Sequence, residues 1–320
     1  MLSIIVVNWN VRDLLEQCLD SIPPSMEGEA GDYEILVVDN ASTDGSVEMV
    51  KRRFPEIHLI ANKDNLGFGL ANNQAYDRAI GSDILLLNPD TICPPGALAK
   101  LWDHFKTHPD INVMGSRLLN LDGTLQRWTG GSFLTVYSAF CHYFFIDKLL
   151  LPRWRSPSLY LESDVDSDVS VDWVSGACMM LRKEDFPEFL FDPAFFMYGE
   201  DMELCHRVKQ AGGKVVYSPI SSVVHIQGAS ISQQKDEVMQ NSLKGPRAFY
   251  LMRGSPVGAR FIDLITITGF AFRGVLYQLL AWVSRREKKP NYVARSAAAW
   301  GYCKLAYRVA AAVGKKRQPS

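Results

Sequence analysis

The segment Ile84-Leu85-Leu86-Leu87-Asn88-Pro89-Asp90 determines how we interpret this chain of 320 residues. Four consecutive apolar residues are typical of a strand that is buried on both faces. We expect the strand to stop at Pro89, because proline has no N–H to donate to a sheet. Asp90 then lies at the edge of the sheet where open α/β folds bind ligands. A carboxylate there can hold a divalent cation against a phosphate, so Asp90 is our first candidate ligand.

The residues before this segment alternate three times between strand and helix patterns. The predicted strands are Ser3–Val7, Tyr33–Val38 and His58–Ala61, and we expect the first helix to end at Pro23-Pro24. This alternation predicts a mostly parallel central sheet with helices on both faces. Right-handed crossovers bring the ends of such strands to one edge. The polar residues at these ends are Asn8, Asp39, Asn62, Asn88 and Asp90.

Two polar stretches at this edge are candidates for nucleotide binding. Asp39 and Asn40 could form hydrogen bonds with a nucleobase and a ribose, although Asp and Asn also favour turns at strand ends for local reasons. The segment Asn65-Leu66-Gly67-Phe68-Gly69 is similar to a phosphate-binding loop, but Gly-x-Gly alone is a weak signal. The chain contains neither the G-x-G-x-x-G fingerprint nor a Walker A lysine.

Two later positions carry groups that could take part in chemistry. Glu200 and Asp201 begin a predicted helix, where the helix dipole favours negative charge, so they are either ordinary first-turn acids or catalytic groups. His225 follows an apolar run and is either a structural histidine or a neutral imidazole ligand for a cation near Asp90. We predict a short strand at Val215–Tyr217, and Val223-Val224-His225 follows it.

The composition is that of a globular protein, and the cysteine pattern predicts reduced thiols. Hydrophobic residues make up 47% and charged residues 22% of the chain. The six cysteines form no C-x-x-C pair and show no zinc-site spacing, so we expect free core thiols in a cytosolic domain. Met1 leads into an apolar run that is too short for a signal peptide and is better interpreted as a strand.

Residues 251–320 differ in charge from the rest of the chain. They hold 13 Lys/Arg and 2 Asp/Glu, a net charge of +11, against −12 for residues 1–250. Phe261–Val283 is mostly apolar but contains Asp263 and Arg273, which would be costly within a bilayer. Basic residues beside aromatic ones therefore predict helices that lie in the membrane interface. A dimerisation hairpin and a membrane-spanning helix are the alternatives, and nucleic-acid binding is not expected without a known module.

Seven motifs, taken in order along residues 3–230, resemble the inverting family 2 glycosyltransferases and most closely their rhamnosyltransferase-like members. The motifs are Val6–Asn10, Val37–Ser46, Asn65–Gly69 with Asn72-Asn73, Leu87–Asp90, Ser175–Ala177, Tyr198–Asp201, and His225 with Ser230. The resemblance implies a GT-A fold, which is Rossmann-like and α/β. It would occupy residues 1–250, with a nucleotide-binding half at about 1–115 and an acceptor half at 116–250. Residues 251–320 would form a basic amphipathic helical tail.

The resemblance also implies roles for single residues, together with a nucleotide-sugar donor and a Mg²⁺ or Mn²⁺ ion. Asp39 would contact the base and Asp90 would be the surviving acid of the DxD motif. Asp201, beside Glu200, would be the catalytic base, and His225 would contact the metal or the diphosphate. Because Asn88 stands where the first DxD acid would be, strict metal dependence stays open. The implied donor-binding residues are Asn8, Asp39, Asn40, Asn65, Gly67, Asn73, Asn88 and Asp90.

The predicted function is inverting transfer of a sugar in the synthesis of bacterial cell-surface polysaccharide. By resemblance the donor is dTDP-rhamnose and the acceptor is a hydroxyl of a glycan or of a lipid-linked glycan. The expected location is cytoplasmic, peripheral on the inner face of the cell membrane, with a homodimer as a further possibility. Two alternatives stay open: a nucleotidyltransferase, against which the Glu200-Asp201 pair argues, and a non-catalytic sugar-nucleotide-binding or scaffold protein, which Asn88 allows.

Overall fold

The computed structural model describes residues 1–28, 31–146, 159–161, 165–226 and 235–315, without the side chains of 128, 235–242 and 312–315. Ser230, named in the last motif, lies outside these residues. The chain divides into two compact units. The first unit contains residues 1–133 and 160–235, and the second contains 134–159 and 236–320. The domain boundary at residue 250, which we expect from the sequence, stays a prediction.

The first unit is built on a large mixed sheet. Among the described residues, the strands in chain order are β1 (Leu2–Asn8), β2 (Tyr33–Asp39), β3 (His58–Ala61), β4 (Asp83–Leu87), β5 (Thr91–Ile92), β6 (Val113–Leu119), β7 (Gly130–Gly131), β8 (Val169–Ser170), β9 (Trp173–Val174), β10 (Cys178–Arg182) and β11 (Val215–His225). The main sheet has the order β3-β2-β1-β4-β10-β6-β11-β5, and β8 also pairs with β11. β7 and β9 form a separate two-stranded sheet.

The half of the main sheet from β3 to β4 is parallel, as predicted. In β1 every residue is buried, and its register with β2 places Asn8 opposite Asp39. The other half is mixed, because β10 runs antiparallel to both β4 and β6. Strand β5 immediately follows Asp90 and runs antiparallel to β11. This arrangement confirms the mostly parallel α/β sheet of the GT-A fold.

Helices cover both faces of the sheet. The helices of the first unit are α1 (Arg12–Ser25), α2 (Ser46–Arg53), α3 (Phe68–Arg78), α4 (Ala97–Thr107) and α6 (Glu200–Gln210), and α5 belongs to the second unit. Alternate β1 side chains face opposite cores: Ile4 and Val6 pack in the core with α1, α2 and α4, whereas Ile5 and Val7 pack in the core with α3 and α6. This alternation explains why the strands near the centre have continuous apolar sequences.

Two predicted element boundaries are wrong. Helix α1 continues through Pro23 and Pro24 to Ser25, because each proline removes only its own N–H and the amide of Met26 still donates to the carbonyls of Ile22 and Pro23. The short strand predicted at Val215–Tyr217 is part of a longer strand, β11, which continues to His225. Its register with β6 shifts between Ser218 and Ser222, and this irregularity absorbs the interruption in the apolar pattern.

The second unit is helical. Its helices are α5 (Val136–Phe144), α7 (Lys235–Met252), α8 (Pro256–Val283) and α9 (Lys289–Lys315). A Cβ atom added at Gly274 of α8 would lie 2.8 Å from ring atoms of Trp300, so glycine permits the close approach of α9. Arg273 donates hydrogen bonds to the carbonyls of His142 and Tyr143, and Asp263 pairs with Arg247. The two charges within the apolar stretch of α8 therefore have partners inside this unit.

Candidate active site at the carboxyl edge of the sheet

Asn8 and Asp39 form a buried pair at the ends of β1 and β2. The Asn8 side-chain amide donates to Oδ2 of Asp39 at 2.8 Å, and the backbone N–H of Ser42 donates to Oδ1 at 2.8 Å. Both oxygens of the carboxylate are therefore held in place. The side-chain oxygen of Asn8 is buried without a hydrogen-bond partner. Such an unpaired acceptor is costly in a protein interior and points to a role beyond packing.

Asn40 connects the strand ends to the loop that precedes α3. Its side-chain nitrogen donates to the carbonyl of Gly67 at 3.1 Å, and its side-chain oxygen accepts from Asn62 at 2.9 Å. The Asn65 side chain accepts from the N–H of Gly67 at 2.9 Å. Gly67 has a φ of +84°, and a Cβ there would lie 2.4 Å from the carbonyl oxygen of Phe196. Only glycine fits this loop, and Asn40 and Asn65 hold its shape.

The side chain of Asn73, on α3, forms hydrogen bonds with the backbone of the protein. Its side-chain nitrogen donates to the carbonyl of Phe191 at 2.7 Å, and its oxygen accepts from the N–H of Phe191 at 2.9 Å. This double contact fastens α3 to the segment that leads to α6. The predicted contact of Asn73 with a donor stays a prediction, and its position provides a structural reason for the Asn72-Asn73 motif.

Pairing between β5 and β11 brings Asp90 and His225 together. Thr91 lies opposite His225, and the N–H of Ile226 donates to the carbonyl of Asp90 at 2.7 Å. Oδ1 of Asp90 lies 3.2 Å from Nε2 of His225, and the Asn88 side-chain nitrogen lies 3.3 Å from the same atom. Both Asp90 and His225 are buried at 8% exposure. His225 thus forms one cluster with Asn88 and Asp90, although 137 positions separate it from Asn88.

The chemistry of this cluster fits a divalent cation that is shared with a phosphate ligand. Two ligands of one octahedral ion, each at about 2.1 Å, are separated by about 3 Å, which is similar to the distance between Asp90 and His225. Within the described ranges, no group of three or more His, Cys, Asp or Glu side chains could hold a metal ion. Mg²⁺ typically takes one or two protein ligands and completes its shell with water and substrate phosphates.

Asp201 and Glu200 lie in the first turn of α6, as predicted. The Asp201 carboxylate accepts hydrogen bonds from the N–H groups of Met202, at 2.8 Å, and of Gly176. Burial raises the pKa of Asp201, and these N–H donors offset only part of that rise. Burial, followed by the charge of Asp201, also raises the pKa of Glu200, whose Oε2 is buried without a hydrogen-bond partner. The site therefore contains two carboxyl groups that bind protons more tightly than usual.

Tyr198 lies within electrostatic range of both Glu200 and Asp90. Burial raises the pKa of the Tyr198 phenol, and the negative charges of Glu200 and Asp90 raise it further, so both acids act on one ring. Tyr198 has a φ of +69°, which is uncommon for a residue with a side chain. Such a conformation costs about 1–3 kcal/mol and is concentrated at functional sites.

The sequence analysis did not identify Gln126, which contacts both the imidazole ring and the backbone carbonyl of His225. Oε1 of Gln126 lies 3.0 Å from Nδ1 of His225, and Nε2 of Gln126 donates to the His225 carbonyl at 2.6 Å. Gln126 is 2% exposed, so it is a buried polar residue beside a candidate ligand. The available signal was the Asp122-Gly123 turn, which predicts that the chain reverses and brings residues near 126 back against β6.

A sequence-family model described as "Glycosyl transferase family 2" matches residues 3–190. The chain is 27% identical over 241 residues to N-acetylglucosaminyl-diphospho-decaprenol L-rhamnosyltransferase of Mycobacterium tuberculosis, covering 70% of this chain and 76% of that protein. It is 28% identical over 235 residues to rhamnosyltransferase WbbL of Escherichia coli, covering 70% and 83% of the two chains.

Two solved structures share the fold. The mannosyltransferase PcManGT from Pyrobaculum calidifontis, in complex with GDP-Man and Mn²⁺, has a TM-score of 0.54 at 16% identity, covering 98% of this chain and 86% of that chain. GalNAc-T7 with UDP, GalNAc and Mn²⁺ has a TM-score of 0.51 at 18% identity. That match covers 77% of this chain and 47% of GalNAc-T7. At these identities the two structures show the architecture alone.

Proposed function

The chain belongs to glycosyl transferase family 2 and is a glycosyltransferase of the hexosyl type, and we propose that it transfers L-rhamnose from dTDP-rhamnose to a hydroxyl of a lipid-linked glycan. The observation that supports this proposal is the contact between Asp90 and His225, together with Tyr198, whose phenol feels the charges of both Asp90 and Glu200, the residue before Asp201. The choice of sugar and acceptor rests on the names of the two rhamnosyltransferase relatives.

The donor would bind along the carboxyl edge of β1, β2 and β4. Asp39, oriented by Asn8 and Ser42, would accept a hydrogen bond from the nucleobase of the donor. The orphaned oxygen of Asn8 offers a second acceptor at the same end of β1. The loop at Gly67 lies beside these strand ends, because Asn40 ties it to them.

The leaving diphosphate would be placed beside Asp90 and His225. A Mg²⁺ or Mn²⁺ ion held there, when bound, offsets the negative charge that builds up on the departing phosphate. Asp90 contributes one full negative charge and His225 a neutral nitrogen, while Asn88 lies within 3.3 Å of that nitrogen. Burial of both ligands strengthens their electrostatic interaction with any charged group placed between them.

The acceptor hydroxyl would be activated by Asp201. A hydroxyl has a pKa far above 7, so a base must take its proton as the new bond forms. The raised pKa of Asp201 makes it a stronger base than an ordinary aspartate. Attack from the face opposite the diphosphate, in a single displacement, would invert the anomeric centre.

The second unit supplies a surface for the membrane that holds a lipid-linked acceptor. Among the described residues, α8 alone is long and apolar enough to cross a membrane, with a mean hydropathy of 1.4. We propose that it lies in the interface at the inner face of the cell membrane. It exposes a stripe of apolar side chains at helical spacing, which we call the α8 stripe: Val257, Phe261, Leu264, Phe272, Val275, Leu279, Trp282 and Val283. Nearby Arg285, Arg286, Lys288 and Lys289 suit anionic headgroups.

A donor and acceptor assay tests the proposed reaction. The purified full chain is incubated with Mn²⁺, a short-chain N-acetylglucosaminyl-diphospho-lipid and, in separate reactions, dTDP-rhamnose, UDP-sugars and GDP-sugars. Mass spectrometry identifies the product, and NMR reports its anomeric configuration. We expect product from dTDP-rhamnose alone, with inversion. Transfer from another donor only, or retention of configuration, contradicts the proposal.

A further inference from the structure

The side chain of Gln126 is held in a single position. It follows the turn at Asp122-Gly123 and precedes a short 3-10 turn, Arg127–Thr129. The N–H of Gln126 donates to the carbonyl of Leu118 at 2.9 Å, and its own carbonyl accepts from the Thr129 hydroxyl at 2.6 Å. With its backbone fixed at both groups and its side chain buried, Gln126 has little freedom to make other contacts.

The two contacts with His225 determine how the Gln126 amide is oriented. The backbone carbonyl of His225 can only accept a hydrogen bond, so the atom 2.6 Å from it must be the NH₂ group of Gln126. The amide oxygen then faces Nδ1 of His225 at 3.0 Å. The opposite orientation would place two acceptors against each other, so the hydrogen-bond pattern itself settles the assignment.

This orientation also determines which ring nitrogen of His225 carries a hydrogen. The amide oxygen can only accept, so Nδ1 must donate and must be protonated. In the neutral imidazole, Nε2 then presents a lone pair. That lone pair faces Oδ1 of Asp90 at 3.2 Å and the Asn88 side-chain nitrogen at 3.3 Å. Asn88 can donate to this lone pair, whereas the carboxylate oxygen cannot, and a cation bound between Nε2 and Oδ1 would take the lone pair in place of Asn88.

We infer that Gln126 is a positioning residue that holds His225 as the Nδ1–H tautomer, with its Nε2 lone pair directed to the cation shared with Asp90. The inference rests on the proposed function, because it assigns a partner to a ligand of the proposed cation site. Metal-bound histidines commonly donate their second ring N–H to an acceptor that fixes the tautomer and the ring plane. A neutral amide does this without adding a charge beside the ring.

The test compares Gln126→Met with Thr129→Val in the full chain. Methionine is similar in length to glutamine and cannot accept the Nδ1 hydrogen. Thr129→Val removes a hydrogen bond to the backbone of the same segment and leaves the contacts between Gln126 and His225 intact. Binding of Mn²⁺ is measured by electron paramagnetic resonance of the free ion, in the presence of dTDP. We expect about 10-fold to 100-fold weaker binding for Gln126→Met and little change for Thr129→Val.

A second readout reports the tautomer without any metal. Nitrogen NMR of histidine-labelled protein distinguishes Nδ1–H from Nε2–H, and His225→Ala identifies the His225 signals. We expect Nδ1–H in the wild type and loss of that preference in Gln126→Met. If Gln126→Met fails to fold, Gln126→Ala also removes the acceptor and should show the same loss.

The outcomes separate this inference from the proposed cation site. If the wild type binds Mn²⁺ and His225→Ala does not weaken binding, the cation site is wrong. If His225→Ala weakens binding but Gln126→Met matches the wild type in affinity and tautomer, the role of Gln126 is wrong. In the His225→Ala background, Gln126→Met should cause no further loss, since its effect passes through the imidazole.

Discussion

The backbone N–H of Asn88 donates to the carbonyl of Ala177 at 2.9 Å, and this bond ties together the two sides of the site. Asn88 begins the turn that contains Asp90. Ala177 follows Gly176, whose N–H donates to the Asp201 carboxylate. The proposed cation ligand and the proposed base are therefore connected through two hydrogen bonds, Asn88 to Ala177 and Gly176 to Asp201, and the short backbone segments between them. A change in either turn should disturb both sides of the site.

Replacing Asp201 by asparagine should abolish most turnover. Asparagine keeps the size and can still accept the Met202 hydrogen bond through its amide oxygen, but it cannot take a proton from the acceptor. General-base catalysis typically contributes about 10²–10⁴-fold, and we expect a loss of that size in kcat. Donor binding, measured by calorimetry with dTDP-rhamnose, should stay within a few-fold of the wild type. Asp185→Asn, elsewhere in the same unit, is the control. A near-normal rate in Asp201→Asn would show that Asp201 is not the base.

The pH profile should show an acidic limb that belongs to Asp201. The base must be ionised to act, and burial raises its pKa, so activity should fall as the pH drops through a value well above the ordinary aspartate range. The measurement is kcat/KM against pH at saturating Mn²⁺, so that loss of the cation does not produce the limb. The residual activity of Asp201→Asn should lack this limb, and a limb of the same position in that variant contradicts the assignment.

Replacing Glu200 by glutamine should stabilise the protein, and more so at high pH. Burial raises the pKa of Glu200, so the folded state binds this proton more tightly than the unfolded state does. Stability is therefore lost as the pH rises from the ordinary glutamate range through the raised folded pKa. Glutamine escapes this loss because it is always neutral. A stabilisation of about 1 kcal/mol corresponds to about 2–4 °C in Tm for a domain of this size.

Calorimetric Tm values of the wild type and Glu200→Gln, measured from pH 5 to pH 9, check this prediction. The difference between the two proteins should be small at pH 5 and should grow towards pH 9. Glu48→Gln, at another acid in a first helical turn, is the comparison and should show no such growth. A constant difference across the range would mean that Glu200 is not ionising within it.

Replacing Asp90 by asparagine should raise the Mn²⁺ concentration needed for activity. The change removes the one full negative charge among the proposed ligands and leaves a neutral oxygen of similar size. We expect the half-saturating Mn²⁺ concentration to rise about tenfold or more, while kcat at saturating Mn²⁺ is less affected. Asp172→Asn, whose partner is Lys209, is the control. An unchanged Mn²⁺ requirement would place the cation elsewhere.

Replacing Leu279 by glutamate should weaken binding to anionic vesicles. Leu279 is 55% exposed in the carboxyl-terminal part of the α8 stripe, and burying a leucine side chain is worth about 1.5–3 kcal/mol. We therefore expect binding about tenfold weaker or worse in sedimentation with phosphatidylglycerol vesicles. Leu121→Glu is the matched control, since Leu121 is 71% exposed in a turn of the first unit. Equal losses in both variants would point to general charge repulsion.

The parallel half of the sheet could be predicted because its local signals agree. β1, β2 and β4 are continuous apolar runs that end in polar residues, and this pattern has one simple structural explanation. The position of β10 could not be predicted in this way. Its apolar run at Cys178–Arg182 indicates a buried strand but contains no information on direction or neighbours, because these depend on pairing with residues far away in sequence.

The sequence identified residues of the candidate site but did not predict how they contact one another. Asp90 and Asp201 were singled out by their places at a strand end and a helix start. The contact between Asp90 and His225 depends on β5, a two-residue strand that is too short to show a periodic pattern. The Asp122-Gly123 turn predicts that the chain near Gln126 reverses against β6, but not that Gln126 is buried. Its contacts with His225 depend on a strand about a hundred positions later.

Strand β10 has a consequence for the order in which the protein is made. It lies between β4 and β6, so the middle of the sheet stays open until residue 182 has left the ribosome. β11, which carries His225, emerges later still and completes the pairing with β5 and β6. The nascent amino-terminal portion therefore has unpaired strand edges for much of its synthesis and cannot act as a free-standing nucleotide-binding module. A gene split near residue 115 should yield two aggregating fragments rather than two cooperating ones.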